Sequence, residues 1–265
     1  MKLLHWNILH GGGARRMPEI GLALVELQPD FILLSEYRTS IGGQLRGILA
    51  DHGLVHQAST NPPKGKNGLL AACRSPFKVV STPPRHDSPT RWLDMHLPEE
   101  DLFLTGVHIP DDSKPTARAS FWLAMVELAR VRAQGNHVFF GDFNTGRHYE
   151  DEPGATFTCT RHLGTVCTLG YGDAFRALHP KAREWTWLPP PGWNISPAKT
   201  GVSSGFRIDS ALVSGALLPR LREARYEHFL REAGVSDHSA MIVCLDLETA
   251  RTEKSQDFVQ KTAIF

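Results

Sequence analysis

Five short pieces of this 265-residue chain carry side chains suited to holding a hard cation and activating water. They are Trp6-Asn7, Ser35-Glu36, Gly141-Asp142-Phe143-Asn144, Arg207-Ile208-Asp209 and Ser236-Asp237-His238. Between them they supply carboxylates, amides and an Asp-His pairing. Oxygen donors of this kind suit magnesium or a similar ion, and an ion of that class can make water a better nucleophile. Four of the five pieces stand at the end of an apolar run with strand character. A rigid sheet aims polar groups at one point from its strand ends.

The elements that must position these residues alternate between strand and helix. Leu3 to Ile8 reads as a strand. Pro18 to Leu27 reads as a helix with Ile20, Leu24 and Leu27 on one face. Gln28-Pro29-Asp30 closes it, because the residue before a proline disfavours helix. Phe31 to Leu34 is a short apolar strand that delivers Glu36. Gly42 to Asp51 reads as helical. Extended runs follow at Leu69 to Cys73, Val79 to Ser81, Trp92 to His96 and Leu102 to His108. Lys114 to Arg132 is the clearest helix. Val138 to Phe140 is a buried strand turned by Gly141, and Phe206 to Val213 and Met241 to Leu247 are the late strands. This alternation predicts a layered α/β or α+β domain; periodicity goes no further.

Composition narrows the class without naming it. A chain of this length supports its own core without disulfides. Lys+Arg number 29 against 28 Asp+Glu, a formal net charge of +1, so any nucleic-acid contact must rely on a local basic face rather than on overall charge. Cys73, Cys159, Cys167 and Cys244 form no Cys-x-x-Cys pair and read as reduced thiols. A small zinc cluster at Cys159, His162 and Cys167 lacks an evident fourth ligand. Met1-Lys2 runs straight into Leu3 to Asn7 with no signal-peptide core, and no stretch approaches a membrane span. A cytoplasmic monomer with no membrane contact is expected.

The five pieces, in this order and at these separations, resemble the endonuclease/exonuclease/phosphatase superfamily, most closely the exonuclease III and abasic-site endonuclease branch. The resemblance runs from Lys2 to about Leu247. It implies a four-layer α/β sandwich, two packed mixed β-sheets flanked by helices. Residues 1–248 would form one catalytic domain and 249–265 a polar tail. It also implies a magnesium-dependent phosphodiester hydrolase, with manganese as an alternative ion and DNA as the partner.

Roles follow by the same likeness. Glu36 would be the main metal ligand, with Asn7 ordering the metal shell and Asp237 close by. Asp142 and Asn144 lie in Gly-Asp-Phe-Asn-Thr-Gly, where flanking glycines allow a tight turn. Asp142 would take a proton from water or hold it in line, and Asn144 would donate to a phosphate oxygen or the attacking water. The plain alternative is an Asx turn. Asp209 and His238 read as a dyad in which the carboxylate orients the imidazole and favours its cation. Whether His238 donates a proton or accepts one stays open. His108 ends another strand where the exonuclease III branch carries a tyrosine and the deoxyribonuclease and sphingomyelinase branches a histidine. Leu9 falls where some abasic-site endonucleases have a second acid. His5, His10, His96, His137 and His148 read as structural or surface residues.

Substrate choice is expected from aromatics and loop cations. Asp173 to Pro180, Trp185-Thr186-Trp187 and Gly205 to Asp209 resemble the exonuclease III branch. There Phe206, with Trp187, would wall a pocket for an extruded sugar. Arg207, Arg91 and Lys199 are the expected substrate-binding cations, with Arg15, Arg16, Lys64, Lys66, Arg147 and Arg161 as further candidates for phosphates. The leading function is a DNA nuclease, an abasic-site endonuclease or 3'-5' exonuclease. The alternative is a metal-dependent phosphodiesterase or phosphatase acting on a small-molecule or lipid phosphate. A catalytically inert binding module is the third reading.

Overall fold

A computed structural model describes residues 1–80, 86, 88–189 and 205–247. Lys199, most of the Pro189 to Ser204 loop and the tail 249–265 lie outside the described residues. In chain order the elements are β1 (Lys2–Asn7), α1 (Gly13–Glu26), β2 (Phe31–Tyr37), α2 (Gly43–Asp51), β3 (His56–Ser59), β4 (Gly68–Cys73), β5 (Lys78–Val79), β6 (Trp92–Leu97), β7 (Leu102–His108), α3 (Pro115–Arg132) and β8 (His137–Asp142). There follow α4 (Thr160–Thr168), β9 (Tyr171–Asp173), α5 (Ala174–Leu178), β10 (Asp209–Ser214), β11 (Leu221–Glu227), α6 (Phe229–Glu232) and β12 (Ala240–Leu245).

Twelve described strands make two mixed six-stranded sheets. One runs β11-β12-β1-β2-β4-β3 and the other β5-β6-β7-β8-β10-β9. Strand side chains alternate between faces, and the apolar residues sort accordingly. Leu3, Leu33 and Ala71 of the first sheet meet Leu104, Phe140 and Ala211 of the second in a shared inner layer. Leu4, Ile32 and Leu70 point outward onto Ile20 and Leu24 of α1 and Leu45 and Leu49 of α2. Val107, Phe139 and Leu212 point outward onto Phe121 and Met125 of α3 and Leu163 of α4. Three apolar layers between four layers of structure are the expected sandwich. Among the described residues no helix is long and apolar enough to cross a membrane.

Several boundaries depart from the sequence reading: β2 runs on to Tyr37 and β10 opens at Asp209 rather than Phe206. Helix α1 starts at Gly13, five residues before Pro18, and keeps the proline inside. Pro18 lies early enough that its missing N–H removes only a bond to the first turn. Strand β8 continues through Gly141 to Asp142, where a strand ending at Phe140 was expected. Its pairing with both neighbours extends that far. Gly141 sits at φ 153°, and a Cβ there would lie 1.9 Å from the carbonyl oxygen of Val107. Only glycine lets β7 and β8 approach this closely, and that approach carries Asp142 to the strand end.

Candidate active site

Strand register places three candidate residues on one rung. His108 of β7 pairs with Asp142 of β8, and Asp142 pairs with Asp209 of β10. Directly paired residues present side chains on the same face. The rung therefore sets an imidazole and two carboxylates side by side at the end of the second sheet. Nε2 of His108 lies 3.6 Å from Oδ2 of Asp142.

Asn7, the last residue of β1, enters from the other sheet. Its Nδ2 donates to Oδ2 of Asp142 at 3.0 Å. The segment before β12 brings in His238, whose Nδ1 lies 2.9 Å from Oδ2 of Asp209 and whose Nε2 lies 4.0 Å from Oδ2 of Asp142. That segment is pinned to β1 in two places. The Ser236 hydroxyl donates to the Asn7 carbonyl at 2.6 Å, and the Trp6 indole donates to the His238 carbonyl at 2.9 Å. Thr186 accepts from the backbone N–H groups of Ile208 and Asp209, fixing the start of β10.

Burial decides the charges. Asp142 is 1% exposed. Desolvation, reinforced by the Asp209 charge, outweighs the nearby His238 and the bonds from Asn7 and Asn144, and the Asp142 pKa rises to about 7. For His238, burial opposes the cation, yet Asp209, through its charge and its hydrogen bond, together with Asp142 and Asp237, carries the pKa up to about 10. Asp209 moves the other way: burial is outweighed by His238, with help from His5, and its pKa falls below the usual carboxylate value. His108 is held well below an ordinary histidine, by burial first and then by Arg91 and His238. At neutral pH the site pairs one imidazolium with an ionised Asp209, a neutral His108 beside them, and a carboxyl poised to exchange its proton.

Glu36 reaches its position by a defect in the sheet. The register of β2 against β4 shifts between Ser35 and Tyr37, and Glu36 bulges out at φ 59°. Bulges re-aim side chains beside active sites. Its Oε2 accepts from the backbone N–H of His10 at 2.7 Å and also lies 2.7 Å from Nδ1 of His10. The loop that turns His10 back runs left-handed from Leu9 through Gly13. The three glycines adopt this at little cost, while Leu9 and His10 each carry about 1–2 kcal/mol of strain.

Several expected residues stand elsewhere or differently. Asn144 is left-handed at φ 47°, not extended. Its backbone N–H closes an Asx turn on Oδ1 of Asp142, and its amide donates to the Ile109 carbonyl at 2.9 Å. The buried guanidinium of Arg118 bonds the Asn144 carbonyl and so holds this turn. Asp237 accepts from the Trp187 indole at 3.1 Å, and its Oδ1 is buried without a hydrogen-bond partner among the described residues. The half-buried rings of Trp187 and Phe206 lie 5.8 Å apart and form one aromatic wall. Arg91 donates to the His108 carbonyl at 3.4 Å.

Arg207 corrects its expected role as a substrate-binding cation. It is 1% exposed. Its guanidinium pairs with Asp151 at 2.7 Å and Asp173 at 2.5 Å and donates to the Tyr226 hydroxyl. No donor is left to face a phosphate in the cleft, so Arg207 anchors the chain entering β10 instead. Arg207→Ala leaves Asp173 buried without its cation and Asp151 with Arg176 as its remaining partner. It lowers stability by roughly 3–5 kcal/mol, read as a shifted denaturation midpoint, and any activity loss follows unfolding. Retention of wild-type stability would contradict this role.

Histidines first read as structural also reach the site. Nε2 of His5 lies 2.9 Å from the Ser35 hydroxyl, and its Nδ1 lies 3.4 Å from Oδ1 of Asp209. Burial outweighs Asp209 and holds the His5 pKa down at about 4, so a neutral ring backs the dyad. Two-residue spacing from Asn7 puts His5 on the same face of β1, a signal already present in the sequence. His10 carried no comparable signal, because its contact with Glu36 depends on the left-handed loop. Among the described residues Cys159, His162 and Cys167 form no metal-holding group; Asp142, Asp209 and His238 are the ones whose ligand atoms lie within 4.8 Å of one another.

The chain belongs to the endonuclease/exonuclease/phosphatase family, whose model matches residues 4–238. Solved structures share the fold. A 3'-5' exonuclease, NExo, from Neisseria meningitidis is 22% identical, with 93% of this chain and 100% of that one covered, at a TM-score of 0.75. The 3' phosphatase NExo from Neisseria, bound to a product DNA hairpin, is 21% identical, with 93% and 99% covered, at 0.76. An AP endonuclease from Archaeoglobus fulgidus is 18% identical, with 93% and 99% covered, at 0.77. No curated protein matches the sequence.

Proposed function

We propose that this chain is a divalent-metal-dependent DNA nuclease of the exonuclease III-like kind. The observation that carries the reading is the convergence of Asn7, His108, Asp142, Asp209 and His238 at the ends of both sheets, within hydrogen-bond or ion-pair reach of one another. The half-buried Trp187 and Phe206 beside it support a nucleotide-sized substrate, and the DNA bound to the Neisseria phosphatase supports the same class.

The residues present fit a hard cation. An imidazolium has no lone pair to give, so cationic His238 argues against a metal bound within the Asp142, Asp209 and His238 group. The better donors are Glu36, aimed by its bulge, the amide of Asn7, and Asp237, whose Oδ1 has no partner among the described residues. Bound there, magnesium or manganese would neutralise charge on the phosphate. Asp142, positioned by Asn7 and the Asn144 N–H, takes the proton of the attacking water. His238, held cationic by Asp209, donates to a non-bridging phosphate oxygen as charge develops. Neutral His108 adds a further donor to the same phosphate.

Glu36→Gln keeps the shape and removes the charge. Manganese binding, followed by calorimetry, weakens in this variant, turnover with magnesium collapses, and the melting temperature holds. Full activity with magnesium would overturn the assignment of Glu36. Substrate class is read from a cleavage panel of abasic duplex, blunt duplex, single strand, RNA and small phosphate esters. His108, in place of the tyrosine of the exonuclease III branch, and the near-neutral charge favour a second reading, a phosphodiesterase on a small or lipid phosphate. Cleavage of those esters with none of DNA would select it.

A further inference from the structure

A cavity of about 470 Å³ opens beside the site, lined by Arg38, Lys66, Asn67, Thr90, Arg91 and Lys114 together with prolines, a glycine and a serine. Among the described lining residues four are cations and none is a carboxylate. Among the described residues none of the four cations makes an ion pair, although Arg91 and Lys114 both act on the Asp111 carboxyl, whereas the buried Arg207 is fully neutralised. Like charges gathered around one hollow repel each other unless an anion enters. For a chain with a net charge of only +1, this is the local basic face that nucleic-acid contact requires.

The cavity shares its walls with the catalytic centre. Arg38 follows Glu36 by two residues. Its Nε donates to Oδ1 of Asn67 at 2.8 Å, and the Asn67 amide lies 3.1 Å from Nδ1 of His10, the residue that touches Glu36. On the other wall Arg91 bonds the carbonyl of His108. Two half-buried guanidiniums are thus fixed to the strand ends that carry site residues, and two exposed lysines stand over the opening. Arginine in a fixed pose matches phosphate oxygens geometrically, while lysine adds mobile charge.

We propose that this cavity takes a second phosphate group of the same substrate molecule, apart from the one at Asp142 and His238. The substrate is therefore a molecule with at least two phosphates, for which the proposed nuclease function specifies a DNA strand. A single-phosphate ester would leave the cavity without its anion. The volume lies within the roughly 300–1,000 Å³ of ligand pockets, enough for a phosphate with its adjoining sugar.

The test pairs a protein change with a substrate change. Lys66→Ala, Lys114→Ala removes two exposed charges, and a thermal melt checks the fold. Duplex substrates of one sequence carry an uncharged methylphosphonate at single positions on either side of the scissile bond. One position weakens binding to the wild type by roughly 10-fold, the scale of a lost charge-assisted contact, and the double variant is indifferent to that same position. Additive losses at every position would overturn the proposal. If the wild type cleaves no DNA, the nuclease reading fails by itself. The same variant is then compared on a sugar monophosphate and a sugar bisphosphate. A KM increase confined to the bisphosphate supports the second-phosphate site, and equal effects on both overturn it.

Discussion

Asp142→Asn lowers kcat by roughly a hundred- to ten-thousand-fold, the range for a lost general base, while the protein stays folded. The amide keeps the bond from Asn7 and cannot take a proton from water. Thermal stability changes in an informative direction. The fold raises the Asp142 pKa from 3.8 to about 7, chiefly by desolvation. A carboxyl raised in this way contributes stability that is fully present below pH 3.8 and is lost as pH rises through about 7. The amide has no such loss. Melting temperatures of variant and wild type converge at low pH, and at pH 8 the variant melts no lower than wild type. Single-turnover rates and melts across that range measure both effects. An inactive variant that melts well below wild type at pH 8 would mean that Asp142 is held for structure.

The second large effect belongs to the dyad. Wild-type kcat/KM rises through about pH 7, as Asp142 loses its proton, and falls near pH 10, as His238 loses its own. Asp209→Asn removes the strongest influence raising His238, so the alkaline limb moves to lower pH. His238→Ala costs roughly a hundred-fold or more, since charge stabilisation at an oxyanion is worth that much in comparable sites. The double variant Asp209→Asn, His238→Ala loses little beyond His238→Ala alone, because residues acting as a unit are not additive. Rates that multiply, or an alkaline limb that Asp209→Asn leaves in place, would show the two residues working separately.

On the shared rung His108 and Asp142 were readable early because each ends an apolar run, while Asp209, which opens β10, was readable from its Arg-Ile-Asp motif. Glu36 was readable as a residue but not as a bulge; periodicity puts it on the outer face, and only the left-handed turn brings it round. Arg207 misled because an arginine between an aromatic and a site aspartate looks like a phosphate ligand. Its partners are 56 and 34 residues away in sequence, and nothing local signals them. The basic cavity was legible only in part: Arg91 and Lys66 stood among the expected phosphate contacts, but Arg38 and Lys114 did not, and nothing local signals that four separate segments gather these charges around one hollow.

The hydrogen bond between Asn7 and Asp142 spans the gap between the two sheets. Stacked sheets stand about 10 Å apart, at a distance set by the side chains between them. The inner layer of Leu3, Leu33, Leu104, Phe140 and Ala211 is therefore also the ruler for this contact. At Gly106 the tolerance is already small, since a Cβ there would lie 2.6 Å from Cδ1 of Leu33. The sheets behave like the jaws of a caliper whose setting is the thickness of the core. Selection for a well-packed interior and selection for a working catalytic distance then act on the same side chains, and a conservative enlargement far from any substrate opens the jaws.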